Sequence, residues 1–194
     1  MNNSVIIQKY ENNAFKGIFS SLREREVNLT DKSFIKDYTN PRSIWRSPLN
    51  MLIPGTSKYG EISDNPPSFE YGFRKSLFAL NGYSLHTISD SQPIDFKVMC
   101  SNDRINWETV DEKSNLEACY NCNLHYDISY TRSYRYIKIL VSKTNKIVEG
   151  KTKIGFFEFE MFGVLMPNSI YKCTYRTQKK MMNILHFLIN IILS

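Results

Sequence analysis

The stretch Ile94-Asp95-Phe96-Lys97-Val98-Met99-Cys100-Ser101-Asn102-Asp103-Arg104-Ile105-Asn106-Trp107-Glu108 says most about the fold. In its first half Ile94, Phe96, Val98 and Cys100 fall on one face, and Asp95, Lys97, Met99 and Ser101 on the other. Successive side chains of a strand point to opposite faces, so this period of two predicts an antiparallel strand with one face buried. Ser101-Asn102-Asp103 ends it, because short polar side chains bond their own backbone and favour a turn. Trp107 then opens a strand running to Val110. It is expected to plug the core, where one buried Trp covers about 200 Å².

The same alternation extends in both directions. Upstream, Phe69, Tyr71 and Phe73 alternate with Glu70 and Gly72. Residues 76–80 and 83–88 flank Asn81-Gly82, the dipeptide suited to a tight hairpin, so a hairpin is expected there. Downstream, residues 134–141 read as a central strand, with Arg135, Ile137, Ile139 and Val141 on one side and Tyr136, Lys138 and Leu140 on the other. Residues 154–165 form a last strand in which Phe157, Phe159 and Met161 share a face. Glu160, inside that apolar run, must lie on an exposed edge or be paired, and Arg135 is a candidate partner. With residues 107–110 and 124–129 this makes roughly eight short strands and no intervening helical pattern, the reading of an all-β sandwich or barrel. Residues 27–67, rich in Asn, Ser, Pro, Thr and Gly, read as long loops with a few short strands. Before them, Phe15, Ile18, Phe19 and Leu22 have helical spacing and predict a short amphipathic helix packed on the body.

Composition limits the function. The 194-residue chain is 42% hydrophobic and 13% aromatic, which suits one folded domain with short appendages and contradicts disorder. The net charge of +6 is uneven: residues 166–194 hold Lys172, Arg176, Lys179 and Lys180 and no acid, leaving +2 for residues 1–165. Nucleic-acid affinity comes largely from phosphate neutralisation by a dense basic stripe, so no nucleic-acid partner is expected for the body. No apolar run reaches the roughly 20 residues of a spanning helix, and the N-terminus lacks the basic and apolar segments of a secretory signal. The expected compartment is the cytoplasm, where Cys100, Cys119, Cys122 and Cys173 are expected as reduced thiols. Cys119-x-x-Cys122 with His125 offers three zinc ligands. A closed structural site takes four, so no metal or cofactor is expected. The three histidines, His86, His125 and His186, stand in no acid–base or nucleophile constellation, so an enzyme is not expected.

The ordered set of motifs resembles the coagulation factor 5/8 type C (discoidin) domain. Residues 94–108 look like its "strand, Ser-Asn-Asp, x-x-x-Trp" signature. Tyr134-Arg135-Tyr136-Ile137-Lys138-Ile139 is similar to its "aromatic-Arg-Tyr-Ile-Arg" strand, and Phe159-Glu160-Met161-Phe162-Gly163 to its closing "Glu-aromatic-aromatic-Gly" strand. Ser68-Phe69-Glu70-Tyr71-Gly72-Phe73 with Tyr83-Ser84-Leu85 resembles the strand pair before the signature. The likeness covers about residues 27–165, and its structural signature positions here are Ser101, Asn102, Asp103, Trp107, Arg135, Tyr136, Glu160 and Gly163. It implies an eight-stranded jelly-roll β-sandwich of the galactose-binding-like superfamily, with short helices at both termini and loops at one end that bind and do not catalyse. Gly17-Ile18-Phe19 with Leu22 looks closest to intracellular protist members, where such a helix follows an upstream interaction domain of the BTB type. The family's Asp-Gly element is not evident before Trp45, so calcium is not expected.

Three parts are therefore expected: a helical lead-in over residues 1–26, the sandwich over 27–165, and a basic and apolar tail over 166–194. Within residues 41–64, Arg42, Trp45, Arg46, Lys58 and Tyr59 combine flat aromatic faces with multidentate donors and are the ligand-binding candidates. In the tail, Lys179 and Lys180 precede a helical pattern with Ile184, Leu185, Phe187 and Leu188. Its thirteen apolar-rich residues span about 20 Å as a helix, short of a bilayer core. Such a tail suits peripheral contact with an anionic membrane, a partner, or its own domain. The function read from the sequence is a non-enzymatic module binding a carbohydrate, lipid head group or protein segment. The alternative is an adaptor or scaffold assembled through its terminal helices.

Overall fold

In the computed structural model the described residues are 5–29, 34–39, 44–46, 49, 52, 60–64, 66–87, 92–117, 119, 121–145, 147–148 and 151–167. They form two antiparallel sheets. One runs in the order β3 (Ile44–Arg46), β4 (Gly60–Asp64), β12 (Lys151–Pro167), β6 (Ser76–Thr87) and β9 (Asn123–Asp127), with β1 (Ile6–Gln8) and β11 (Ile147–Val148) also paired to β12. The other runs β2 (Ile35–Asp37), β5 (Ser68–Phe73), β10 (Tyr136–Thr144), β7 (Pro93–Ser101) and β8 (Glu108–Lys113). This is the all-β jelly-roll sandwich anticipated from the sequence. The described residues hold twelve strands. Seven of them cover the roughly eight expected, because residues 76–80 and 83–88 are one strand, β6. Of the other five, β1, β2, β3 and β11 are two or three residues long, too short to leave a period, and β4, at five, is one of the short strands expected within residues 27–67.

The core lies between the sheets. β10 is central in its sheet: Ile137 stands opposite Tyr71 and Cys100, and Ile139 opposite Phe69 and Val98. All six are buried, and they face Phe78, Leu80, Tyr83 and Leu85 of β6 and Phe159 and Met161 of β12. At about 1.5–3 kcal/mol for each large apolar side chain removed from water, this interface is the main stabilising term.

Asn81-Gly82 does not make the expected hairpin, because β6 passes straight through it. Phe162 pairs with Gly82 and Gly163 with Leu80, so Asn81 is an extra residue bulged out of the ladder. The inward residues of β6 change parity across it, from Phe78 and Leu80 to Tyr83 and Leu85. Bulges insert one residue in this way and bend the strand. Opposite the bulge Gly163 has φ +133°, a conformation closed to other residues, and a Cβ there would strike the Ala79 carbonyl oxygen.

The predicted helix is α1 (Ile18–Glu24), with Ile18, Phe19 and Leu22 buried and the Phe19 ring stacked 6.1 Å from that of Phe73. Its N-terminus explains Glu160. That carboxylate is wholly buried and its partner is not Arg135, as the sequence suggested, but the first turn of α1. Phe19 N–H donates to Oε1 at 2.8 Å and Ser20 N–H to Oε2 at 3.0 Å; the Ser20 hydroxyl donates at 2.8 Å and Met161 N–H at 2.9 Å. The first N–H groups of a helix lack internal acceptors, so a buried carboxylate and an uncapped helix satisfy each other. Gly17 allows the approach, since a Cβ there would meet the Met161 carbonyl and the Glu160 side chain.

A second correction concerns the thiols. Cys119 and Cys122 are joined as a disulfide, with Cα atoms 5.7 Å apart. The turn at Asn121, φ +56°, brings them within the separation a disulfide spans. Cys100 is a free thiol in the core, and burial pushes its pKa up.

Candidate functional site

Strand alternation gives the five-stranded sheet an apolar inner face and a charged, aromatic outer face. Two adjacent cross-strand rows form a strip on that outer face. In one row Lys36 pairs with Gly72, Gly72 with Tyr136, and Tyr136 with Ser101. In the next, Tyr38 N–H donates to the Glu70 carbonyl at 2.9 Å, and Lys138 stands opposite Glu70 and Met99. Gly72 lets the rings lean together: a Cβ there would lie 2.5 Å from Tyr136 Cδ1 and 2.8 Å from Tyr38 Cε2.

The turn after β7 folds two more side chains onto this strip. Ser101 Oγ accepts from the N–H groups of Asp103 at 3.2 Å and Arg104 at 2.9 Å. Asp103 Oδ1 accepts from Ile105 and Asn106 N–H, each at 2.8 Å, and Oδ2 from the Asn106 amide at 2.7 Å. Those bonds to Asn106 and Ile105 hold the Asp103 carboxyl well below the usual carboxylate range. Asn102 Nδ2 donates to the Ser133 carbonyl at 3.0 Å. So gripped, Arg104 adopts φ +66°, the left-handed region that costs a non-glycine residue about 1–2 kcal/mol. The guanidinium lies 3.8 Å over the Tyr38 ring and donates from Nε to Glu70 Oε1.

Trp107 is not the core plug the sequence suggested. It is half-buried on the outer face, its Nε1–H donates to the Arg104 carbonyl at 3.1 Å, and Lys138 Nζ sits 3.9 Å from its ring centroid. The reason is register: the turn returns the chain to β8 at the sheet edge, and the core is already filled by Phe96, Val98 and Cys100 from β7. Lys138 Nζ also reaches Glu70 Oε2 at 3.3 Å, so the nearly buried Glu70 carboxylate is held by two cations. Lys36 Nζ lies 4.5 Å from the Tyr38 ring. The Tyr38 hydroxyl has a raised pKa, first through burial and then through Tyr136, with Arg104 and Arg74 opposing.

The other signature residues serve the backbone. Arg135 N–H donates to the Ser101 carbonyl at 3.2 Å, and its own carbonyl accepts from Phe73 N–H at 3.0 Å. Tyr136 belongs to the strip; Glu160 and Gly163 belong to the packing of β12. Of the loop candidates, Trp45 and Arg46 lie on β3, where only the backbone is described. Arg42, Lys58 and Tyr59 lie outside the described residues, as do Lys179, Lys180, Ile184, Leu185, Phe187 and Leu188 of the tail. Sequence reasoning missed Lys36, Tyr38, Glu70, Arg104 and Lys138 as a group. The alternation did place Glu70 and Lys138 on faces opposite the core; their adjacency depends on β5 and β10 being neighbours in register.

A second cluster lies on the other sheet. Ser84 Oγ meets His125 Nδ1 at 2.9 Å, and His125 Nε2 meets Asp127 Oδ1 at 3.0 Å, with the Tyr10 ring stacked 3.5 Å from the imidazole. The order imitates a hydrolytic triad, but Ser84 is wholly buried and the Asp127 side chain is 83% exposed. Acyl transfer needs the reverse, an accessible hydroxyl and a sheltered carboxylate.

No family model matches the chain, and no curated protein matches it. Solved structures with the same fold are similar to it at low identity. One is the module CpGH89CBM32-5 from Clostridium perfringens, in complex with GalNAc-β-1,3-galactose: TM-score 0.52, 13% identity, covering 70% of this chain and 99% of that one. Another is CBM32-3 from a family 31 glycoside hydrolase of Clostridium perfringens: TM-score 0.52, 15% identity, 69% and 93% covered. A third is the chitosan-binding module 1 of a chitosanase/glucanase from Paenibacillus sp. IK-5: TM-score 0.50, 13% identity, 66% and 93% covered. The chain thus shares the jelly-roll β-sandwich fold of these modules.

Proposed function

We propose that this chain is a non-enzymatic binding module whose ligand is a carbohydrate, taken on the outer strip of the five-stranded sheet. The observation that carries the reading is the grouping of three half-buried rings, Tyr38, Tyr136 and Trp107, around the Glu70 carboxylate and its two cations. Aromatic faces stack against the C–H faces of sugar rings, while carboxylate, guanidinium and ammonium groups offer acceptors and donors to hydroxyls. The fold shared with modules whose structures hold or are named for saccharides supports the same reading. The loop residues Arg42, Trp45, Arg46, Lys58 and Tyr59 are the competing location.

A glycan array followed by calorimetry tests both. Wild type is expected to bind a saccharide, and Trp107→Ala to weaken it about fivefold to tenfold, the order of one lost aromatic packing contact. Far-UV circular dichroism checks that the variant stays folded. Loss with Trp45→Ala and not with Trp107→Ala moves the site to the loop. No saccharide signal at all, with binding to lipid vesicles or a protein segment instead, overturns the carbohydrate reading.

A further inference from the structure

We infer that the saccharide taken by the strip is an acidic one, held through a carboxylate or sulfate group. The inference rests on the strip being the carbohydrate site and adds the chemical class of its ligand. Cations outnumber anions there. Lys36, Arg104 and Lys138 stand on or fold onto the strip, and Arg74 is near enough to act electrostatically on the Tyr38 hydroxyl. Against them, among the described residues, stand three carboxylates. Glu70 is shared between Arg104 and Lys138, and Asp103 is occupied by the N–H groups of its own turn. Asp37 lies beside Lys36 in sequence; its carboxylate accepts from Thr39 N–H and acts on the inward Tyr71 and on Glu70, so the four cations still exceed the three carboxylates when it is counted. Lys97 and Glu112 form their own neutral pair one row further along.

Arg104 gives the excess a shape. It uses Nε on Glu70, and among the described residues its two terminal nitrogens have no protein acceptor. A guanidinium fork matches a carboxylate or sulfate with two parallel hydrogen bonds, which an ammonium cannot reproduce. The Asp103 and Ser101 bonds fix the arginine at positive φ before any ligand arrives, so its orientation is set in advance. Lys138 Nζ lies over the Trp107 ring, 3.9 Å from its centroid, and so sets a point charge at the ring the sugar would contact.

The test titrates wild type with an oligogalacturonate, a sulfated galactan and a neutral galactan oligosaccharide, at about 50 and 300 mM NaCl. One acidic sugar is expected to bind at least about tenfold tighter than the neutral one, with the preference shrinking at high salt. Arg104→Lys keeps the charge and removes the fork, and is expected to weaken the acidic sugar about tenfold; Lys138→Met gives a second variant if Arg104→Lys unfolds. Comparison of the uronate with the sulfated sugar shows which acid is read. Equal binding of neutral and acidic sugars overturns this inference and leaves the carbohydrate reading standing. Binding of neither overturns both. Free sulfate competing as strongly per mole as the sulfated sugar also overturns it, because the strip would then be an anion site and not a saccharide site.

Discussion

Glu160 shows how a single buried charge serves this fold. It accepts two N–H groups from α1, one from its own strand and a hydroxyl. Burial raises its pKa above the usual value of 4.5, and those hydrogen bonds pull it back only in part. Between 4.5 and the higher folded value the native chain keeps a proton that the unfolded chain has lost, so its contribution to stability falls as pH rises through that window. Glu160→Gln removes that pH dependence. It also turns an amide donor toward the Ser20 N–H, and is expected to destabilise the domain by about 1–3 kcal/mol. Urea denaturation of both proteins at several pH values between 4 and 7 checks this. A wild type that gains stability relative to the variant as pH rises contradicts it. The sequence did indicate that Glu160 needed a partner, because a carboxylate stood in an apolar run. It could not indicate which, since the donors lie 140 and 141 positions away on groups every residue carries.

β6 shows what periodicity can and cannot carry. Asn81-Gly82 has the chemistry of a hairpin turn, and that local signal outweighed a longer one: Phe78 and Leu80 are even-numbered, Tyr83 and Leu85 odd. A parity change inside one apolar run is the mark of a bulge. Deleting Asn81 removes the extra residue and keeps both apolar sets facing inward. Deleting Ser84 sends Leu85 to the outer face, since a slip of one residue inverts every later side chain. The first deletion is expected to fold with a loss of about 2 kcal/mol or less, and the second to lose cooperative unfolding. Thermal melts of the two proteins decide, and equal damage would mean Asn81 is not the extra residue. Trp107 misled for a related reason. A lone large aromatic after a turn reads as core, but the face it joins is decided by the turn geometry at Asp103 and Arg104, which alternation does not encode.

At the scale of the molecule, layers and central strands were legible because each of β5, β7 and β10 repeats its alternation over six residues or more. The candidate strip was half legible: its residue types were visible, and their convergence was not, because Tyr38, Glu70, Arg104 and Lys138 come from four separated segments joined by cross-strand register. β1 was invisible at three residues, yet Ile6, Ile7 and Gln8 pair with Leu165, Val164 and Gly163 along the free flank of β12. Ile6 is buried, Gln8 bonds Ser21 of α1, and the chain then runs through the exposed residues Glu11, Asn12 and Asn13. Cutting there and stripping away the first ten residues would leave an unguarded ribbon margin, to which a second molecule can zip its own backbone. Light scattering should then report slow growth of oligomers at concentrations where the intact chain stays monodisperse. On that outcome the inconspicuous first strand would be a stopper against self-association, and purification handles would be better attached where they do not pull it loose.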